Sequence, residues 1–323
     1  MDGLAGVSRT AASWRDRRAP VSIVVPCYRS AASLPELVER LDETLPGCAA
    51  AHEVILVVDG SPDDTWSVAS ALALKYPAVR AIELARNYGQ HNALIAGIRA
   101  ARHGVVVTLD DDLQHSPEEI PVLLAALDED VDLVYGTAIE EEHGAARSVA
   151  SRALKAAMSG QLGIRDARSV SAFRAFRTFL RDGFDRVHGP HVSVDVSLSW
   201  GTTRVRAVSV HMRRRAHGRS GYTLRTLTRH ALNMVLGYSV VPLRLVTYLG
   251  LAVGFTGLGL FGYVLWQYFS GATSVAGFTT VAAMLAVFSA AQLIGIGVLG
   301  EYVGRIHAGG IGRPTYVVRQ ATT

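Results

Sequence analysis

Apolar residues in the first two thirds of the chain follow two recurring patterns. Short continuous runs rich in Val and Ile, at 21–26 (VSIVVP), 53–59 (EVILVVD), 79–84 (VRAIEL) and 105–107 (VVV), predict strands buried on both faces. Between them apolar positions return at helical spacing, as in LPELVERLDETL, and predict helices over 34–45, 63–75 and 90–102. Ser33 is expected to cap the first helix, with Pro35 tolerated in its first turn and a stop near Pro46 and Gly47. Further strands are expected at 133–137 and 204–210, a mobile loop at 140–143 and a solvated helix at 147–159. Phe173, Phe176 and Phe179 are expected in the core. This alternation predicts a doubly wound, mainly parallel α/β sheet over residues 21–222, with each strand delivering its loop to one edge.

The pattern changes toward the C-terminus. From 245 to 300 no charged residue occurs, which is too long for one membrane span and suits two, placed at 245–269 and 281–299. Just before them, Leu224, Leu227, Ala231 and Met234 share one helical face and Arg225 and Arg229 another. That predicts a juxtamembrane helix over 223–244 lying in the headgroup layer. Residues 1–20 are basic without a long apolar run and are expected to be a flexible tail, and 301–323 a C-terminal tail.

Charge orients these parts. The net charge is +4, carried almost wholly by arginine, since Lys75 and Lys155 are the only lysines. Arginines cluster before the first span (Arg213, Arg214, Arg215, Arg219, Arg225, Arg229, Arg244) and return after the second (Arg305, Arg313, Arg319), while the loop between is neutral. By the positive-inside rule both termini and the α/β domain are cytoplasmic, so the protein is expected in the inner membrane as a multi-pass protein. Cys27 and Cys48 are then expected to be reduced. The basic surface is expected to meet a lipid bilayer rather than nucleic acid.

Candidate chemistry concentrates at TLDDDLQHSP. The strand at 105–107 gives way to Asp110, Asp111 and Asp112, and in extended chain Asp110 and Asp112 point to one side while Asp111 faces elsewhere. Two close carboxylates repel, and a divalent cation with oxygen ligands relieves that repulsion. Three polar strand ends, at Pro26 to Tyr28, at Asp59 to Ser61 and at Asp110 to Asp112, should meet in one crevice. The histidines show no zinc spacing, and His188 and His191 flank a Gly-Pro turn. Two G-x-G-x-x-G matches, at 257–262 and 295–300, lie inside the apolar spans without a preceding strand and read as helix-packing glycines.

The ordered set PCYRS, VDGSPDDT, ARNYGQHNALIAGI, TLDDDLQHSPEEIP, SAFRAFR and RRAHGRSGY, followed by two spans and GEYVGRIH, resembles family 2 glycosyltransferases of GT-A fold. More narrowly it resembles membrane-bound polyprenyl-phosphate glycosyltransferases, the group of dolichyl-phosphate mannose synthases and bactoprenol glucosyltransferases. The resemblance implies that Pro26 and Tyr28 flank the nucleotide base and that Asp59 contacts it. It implies that Arg86, Asn87, Gly89 and Gln90 lie beside the nucleotide, and that Asp110 and Asp112 hold Mg2+ or Mn2+ against the diphosphate with Asp111 and Gln114 adjacent. Arg215, Ser220 and Tyr222, with Arg213 and Arg219 as further cations, are implied near the acceptor phosphate. Asp195 lies where other GT-A enzymes carry a catalytic acid, in a context that suits a structural carboxylate equally. Departures from the family pattern occur at Arg29, Ser30, Val58, Ala172 and Gly221, and leave the paired acids untouched.

The implied activity is metal-dependent, inverting transfer of one sugar from a UDP- or GDP-linked donor to polyprenyl phosphate on the cytoplasmic leaflet. Association of copies through the spans is also implied. The alternatives are a glycosyltransferase for a neutral lipid acceptor, which would need a base such as Asp195, and a non-catalytic membrane-tethered nucleotide-binding protein. A processive polysaccharide synthase is disfavoured, because its Gln-x-x-Arg-Trp segment is missing.

Overall fold

Side-chain alternation along the first strand divides the core between the two faces of a sheet. In β1 (Val21–Cys27), Val21, Ile23, Val25 and Cys27 pack into one apolar cluster and Val24 into the other. The computed structural model describes residues 19–138, 170–184, 192–212, 241–270, 277–312 and 314–322. The chain divides into two compact units, Met1–Ser220 with Pro314–Thr323, and Gly221–Arg313.

In the first unit the elements run β1, α1 (Leu34–Cys48), β2 (His52–Val58), α2 (Thr65–Lys75), β3 (Val79–Leu84), α3 (Gln90–Ala100) and β4 (Val105–Thr108). They continue with α4 (Ile120–Ala126), β5 (Leu133–Ala138), β6 (Arg174–Arg177), α5 (Val194–Gly201) and β7 (Val205–Val210). A final strand, β8 (Val318–Ala321), follows the second unit. The eight strands are ordered β7-β5-β6-β4-β1-β2-β3-β8. β1 pairs in parallel with β2 and β4, and β2 with β3. β6 is inserted antiparallel between β4 and β5, while β7 runs parallel to β5.

Helix α1 and the neighbouring α2 cover one face through Leu34, Leu37, Leu41, Leu45 and Leu72. On the other face α3 and α5 pack Leu94, Ile95, Ile98, Val194 and Leu198 against the sheet. A Cβ on Gly97 would lie 2.3 Å from Val24 Cγ1, so glycine there lets α3 approach β1 closely.

The second unit contains α6 (Val241–Phe269) and α7 (Phe278–Gly310). Both are long and apolar enough to cross a membrane, within Leu243–Tyr263 and Val287–Gly304.

Several expectations need correction. Helix α1 carries Pro46 inside it and ends at Cys48, and the Ser33 hydroxyl donates to Ser30 O rather than capping the helix. Phe173 and Phe176 are buried, but Phe179 is exposed. The second apolar helix continues past 299 to Gly310, and residues 318–321 are a sheet strand rather than a tail. β8 pairs antiparallel with β3, beside Gln320 Nε2 donating to Glu83 Oε2 at 2.7 Å. The expected loop at 140–143, the helix at 147–159, residues 223–240 of the expected juxtamembrane helix and Arg213, Arg215, Arg219, Ser220 and Tyr222 lie outside the described residues, as does the basic tail up to residue 18, while 241–244, expected in the juxtamembrane helix, open the first long apolar helix.

Candidate active site

The carboxyl ends of the parallel strands open into a cleft of about 650 Å³, its mouth included. Pro26, Cys27 and Tyr28 enter it from β1, Asp59 from β2, and Asp110, Asp111 and Asp112 from β4. Asn87, Gly89 and Gln90, from the segment opening α3, complete the lining. The three polar strand ends expected to converge thus do so. Arg86 and Gln114 stand next to the lining rather than in it.

Backbone constraints hold this geometry. Gly60 follows Asp59 at φ +56, and a Cβ there would sit 2.2 Å from the Arg86 carbonyl carbon, so only glycine lets the two loops touch. Asp59 accepts the Tyr88 and Gly89 N–H groups at 2.7 Å each, which fixes the turn opening α3. Burial raises its pKa despite those two bonds. Above this turn the Arg86 guanidinium stacks 4.6 Å from the Tyr88 ring centre.

The β1 and β2 loops are stitched by hydroxyls. Arg29, at φ 57, donates its N–H to Ser61 Oγ at 2.8 Å, and Ser30 N–H donates to Thr65 Oγ1 at 3.0 Å. Ser61 and Thr65 in turn both donate to Asp63 Oδ1 at 2.6 Å. A non-glycine residue in left-handed conformation is maintained where the surroundings over-determine it, and this network does so.

The three acids have different partners. Asp110 Oδ1 accepts from Gln90 Nε2 at 2.6 Å, and Asp112 Oδ1 accepts the Gln114 N–H at 3.1 Å across a turn in which Leu113 takes φ 61. Asp111 does not turn away from the others: it also lines the cleft and accepts the Tyr28 N–H at 3.1 Å. Burial, reinforced by Asp110 and Asp112, pushes its carboxyl up to about 6 against hydrogen bonds from Ser30 and Tyr28.

Behind this edge lies a buried polar layer that sequence reasoning missed. Arg174 on β6 is 1% exposed, donates from Nε to Thr108 Oγ1 at 2.9 Å and pairs with Asp195. Tyr135 O–H donates to the same Asp195 oxygen at 3.2 Å. Asp195 therefore sits in the first turn of α5 with its carboxylate engaged by two buried partners. His115 stacks on Phe173 with ring centres 5.3 Å apart, and its Nδ1 accepts the Asp110 N–H at 3.4 Å. Burial, with Arg174 nearby, pulls its pKa down to about 4 despite Asp112, so the ring is neutral at pH 7. The available signal was SAFRAFR read at strand period, which puts Arg174 on the same buried face as Phe176.

Among the described residues no group of three His, Cys, Asp or Glu side chains is placed to hold a metal by itself. The donor set nevertheless suits a hard divalent cation. Mg2+ characteristically takes one or two carboxylates and completes its shell with water and substrate phosphate oxygens, and Asp110 and Asp112 offer such oxygens in a cleft open to substrate.

Residues 22–186 match the model of glycosyl transferase family 2, and residues 241–306 match the GtrB C-terminal hairpin. The chain belongs to glycosyl transferase family 2. Relatives of this family 2 chain include the undecaprenyl-phosphate 4-deoxy-4-formamido-L-arabinose transferase of Shewanella sediminis, 31% identical over 302 residues, 93% of this chain and 91% of the relative. The enzyme of the same description from Pseudomonas aeruginosa is 33% identical over 303 residues, 93% of this chain and 89% of the relative. Glucosyl-3-phosphoglycerate synthase from Mycobacterium tuberculosis, solved with Mn2+ and UDP-glucose, superposes with TM-score 0.50 at 21% identity, covering 68% of this chain and 77% of that one. That likeness establishes the fold. The protein is thus a family 2 glycosyltransferase with a GT-A-like, mainly parallel sheet followed by two long apolar helices.

Proposed function

We propose that this glycosyltransferase moves one sugar from a nucleotide-sugar to polyprenyl phosphate at the cytoplasmic membrane face, inverting the anomeric carbon. The cleft carries the reading: Asp59, Asp110, Asp111 and Asp112 line it, and among the described residues no Lys or Arg does. These carboxylates repel a nucleoside diphosphate, and a divalent cation between them offsets that repulsion. Mg2+ or Mn2+ held by Asp110 and Asp112 would supply that charge and stabilise the departing diphosphate.

The chain's own residues set the geometry. Pro26 and Tyr28 border the nucleoside, Asp59 fixes the Tyr88–Gly89 turn beside it, and Gln90 orients the Asp110 carboxylate. An acceptor phosphate oxygen bonds to the anomeric carbon from the face opposite the nucleotide. The bond from that carbon to the diphosphate oxygen breaks, and the nucleoside diphosphate leaves with the bonding electrons. A phosphate monoester with a second pKa of about 6 is already ionised at neutral pH, so no general base is needed. The engagement of Asp195 by Arg174 and Tyr135 supports this, and counts against a neutral hydroxyl acceptor that would need Asp195 as base. Arg213, Arg215 and Arg219, with Ser220 and Tyr222, are the groups proposed to hold the acceptor phosphate.

Topology supports the membrane assignment. β7 ends and β8 begins at the same edge of the sheet, so the chain that leaves after β7 returns at that edge. An even number of crossings is what such a return requires, and α6 and α7 provide two. The relatives from Shewanella sediminis and Pseudomonas aeruginosa are named for undecaprenyl phosphate, which supports a polyprenyl acceptor here.

The test is transfer of radiolabelled sugar from a panel of UDP- and GDP-sugars to polyprenyl phosphate in detergent with Mg2+ or Mn2+. A labelled lipid formed by wild type and lost in Asp112→Asn is the expected result. Nucleoside diphosphate release with a neutral lipid and none with the phosphate would refute the acceptor assignment.

A further inference from the structure

The segment leaving β7 is fastened at two points to the chain that follows Asp112. His115 and Met212 form an antiparallel bridge. His211 Nδ1 lies 3.1 Å from Glu119 Oε1, and because an ionised carboxylate only accepts, the His211 Nδ1–H donates. The two acids of PEE serve different elements: Glu118 turns to Arg40 on α1, at 2.6 Å, whereas Glu119 turns to His211. His115 lies behind the cleft and backs one of its acids, accepting the Asp110 N–H while stacking on Phe173. The chain that follows the three acids and the end of the segment running toward Arg213 are therefore held to each other by one backbone bridge and one side-chain pair.

We propose that Glu119, His211 and the His115–Met212 bridge form a clasp that registers the acceptor-binding segment against the donor cleft, Glu119 and His211 acting as positioning residues. The inference rests on the acceptor role of Arg213, Arg215 and Arg219 given above. A pair so near the surface adds little to folding stability, since exposed ion pairs are worth little in water. Its consequence lies in where the next residues start. Met212 is one residue from Arg213, so a shift at residues 211–212 passes directly into the segment that meets the acceptor, while Asp110, Asp112 and the donor lining keep their own hydrogen bonds to Gln90 and Gln114.

The experiment uses the full chain in detergent and compares KM for nucleotide-sugar, KM for polyprenyl phosphate and the thermal midpoint. The proteins are wild type, Glu119→Gln, His211→Ala and the exchanged pair Glu119→His with His211→Glu. Each single variant is expected to raise the lipid-phosphate KM about three- to fivefold, with donor KM and midpoint unchanged, and the exchanged pair to recover most of that loss. An unchanged acceptor KM in both single variants, a parallel rise in donor KM, or an exchanged pair no better than the single variants would overturn the clasp. If wild type makes no polyprenyl-linked sugar, the acceptor reading fails and takes the clasp with it. An active wild type with indifferent variants removes the clasp alone.

Discussion

At the amino end of the sheet, Glu53 on β2 is matched on every side. Ser22 Oγ–H and Arg102 N–H donate to its Oε1 at 2.6 and 2.7 Å, and Arg80 Nε lies 2.9 Å from its Oε2. Burial pushes this carboxyl up, but those donors and the Arg80 charge outweigh it and hold the pKa below the ordinary value. At the carboxyl end, Asp59 and Asp111 receive backbone and hydroxyl hydrogen bonds and, among the described residues, no guanidinium, and burial wins: both pKa values rise. One sheet thus carries acids in opposite conditions, matched by a cation at one end and, among the described residues, by hydrogen-bond donors alone at the other. The difference separates a carboxylate that holds the fold from carboxylates arranged for a ligand that brings its own positive charge.

The largest break in that comparison is expected from Gly60→Ala. A Cβ 2.2 Å from the Arg86 carbonyl carbon forces the β2 loop away from the segment opening α3, and the left-handed backbone adds strain. A loss of about 3 kcal/mol, seen as a lowered midpoint in thermal unfolding, should accompany loss of nucleotide binding. Next is Glu53→Gln, which leaves Arg80 half-buried without its anion and should cost about 2 kcal/mol while leaving both substrate KM values unchanged in the folded fraction.

The pH dependence of that variant sharpens the contrast. Because the folded pKa of Glu53 is depressed, its stabilisation is complete above the unfolded value, 4.5, and is lost as pH falls through the lower folded value. Unfolding followed from pH 7 to 3 should therefore show a shallower acid decline for Glu53→Gln than for wild type. The smallest effect, with the opposite sign, is expected from Asp111→Asn. Removing one of three adjacent carboxylates while keeping an oxygen to accept the Tyr28 N–H should stabilise the metal-free protein by about 1 kcal/mol, measurable as a raised thermal midpoint.

Local pattern carried much of this architecture. β1, β2 and β4 were legible because continuous β-branched runs ending in polar residues specify a strand and its outgoing loop together, and that brought Asp59 and the three successive acids to one edge. β6 was not legible, since SAFRAFR buries Arg174, and a charged residue reads as a solvent position until its partner is known. That partner, Asp195, is 21 residues away on α5, and the third member, Tyr135, is 60 from Asp195. β8 was hidden for a different reason. VRQA is exposed at all four positions, so its place in the sheet comes from backbone pairing with β3 across more than two hundred residues, for which side-chain pattern gives no sign. His115 was missed because a lone histidine in an irregular loop has no periodicity to place it.

The claim that the acids of the carboxyl edge await a cation-bound diphosphate is tested most directly by calorimetric titration of the protein with nucleoside diphosphate, with and without Mn2+, for wild type and Asp112→Asn. Affinity should rise at least about tenfold with Mn2+ in wild type and should not respond to Mn2+ in the variant. Wild-type affinity that is the same with and without metal would contradict the account and leave the cleft as a nucleotide-binding site of another kind.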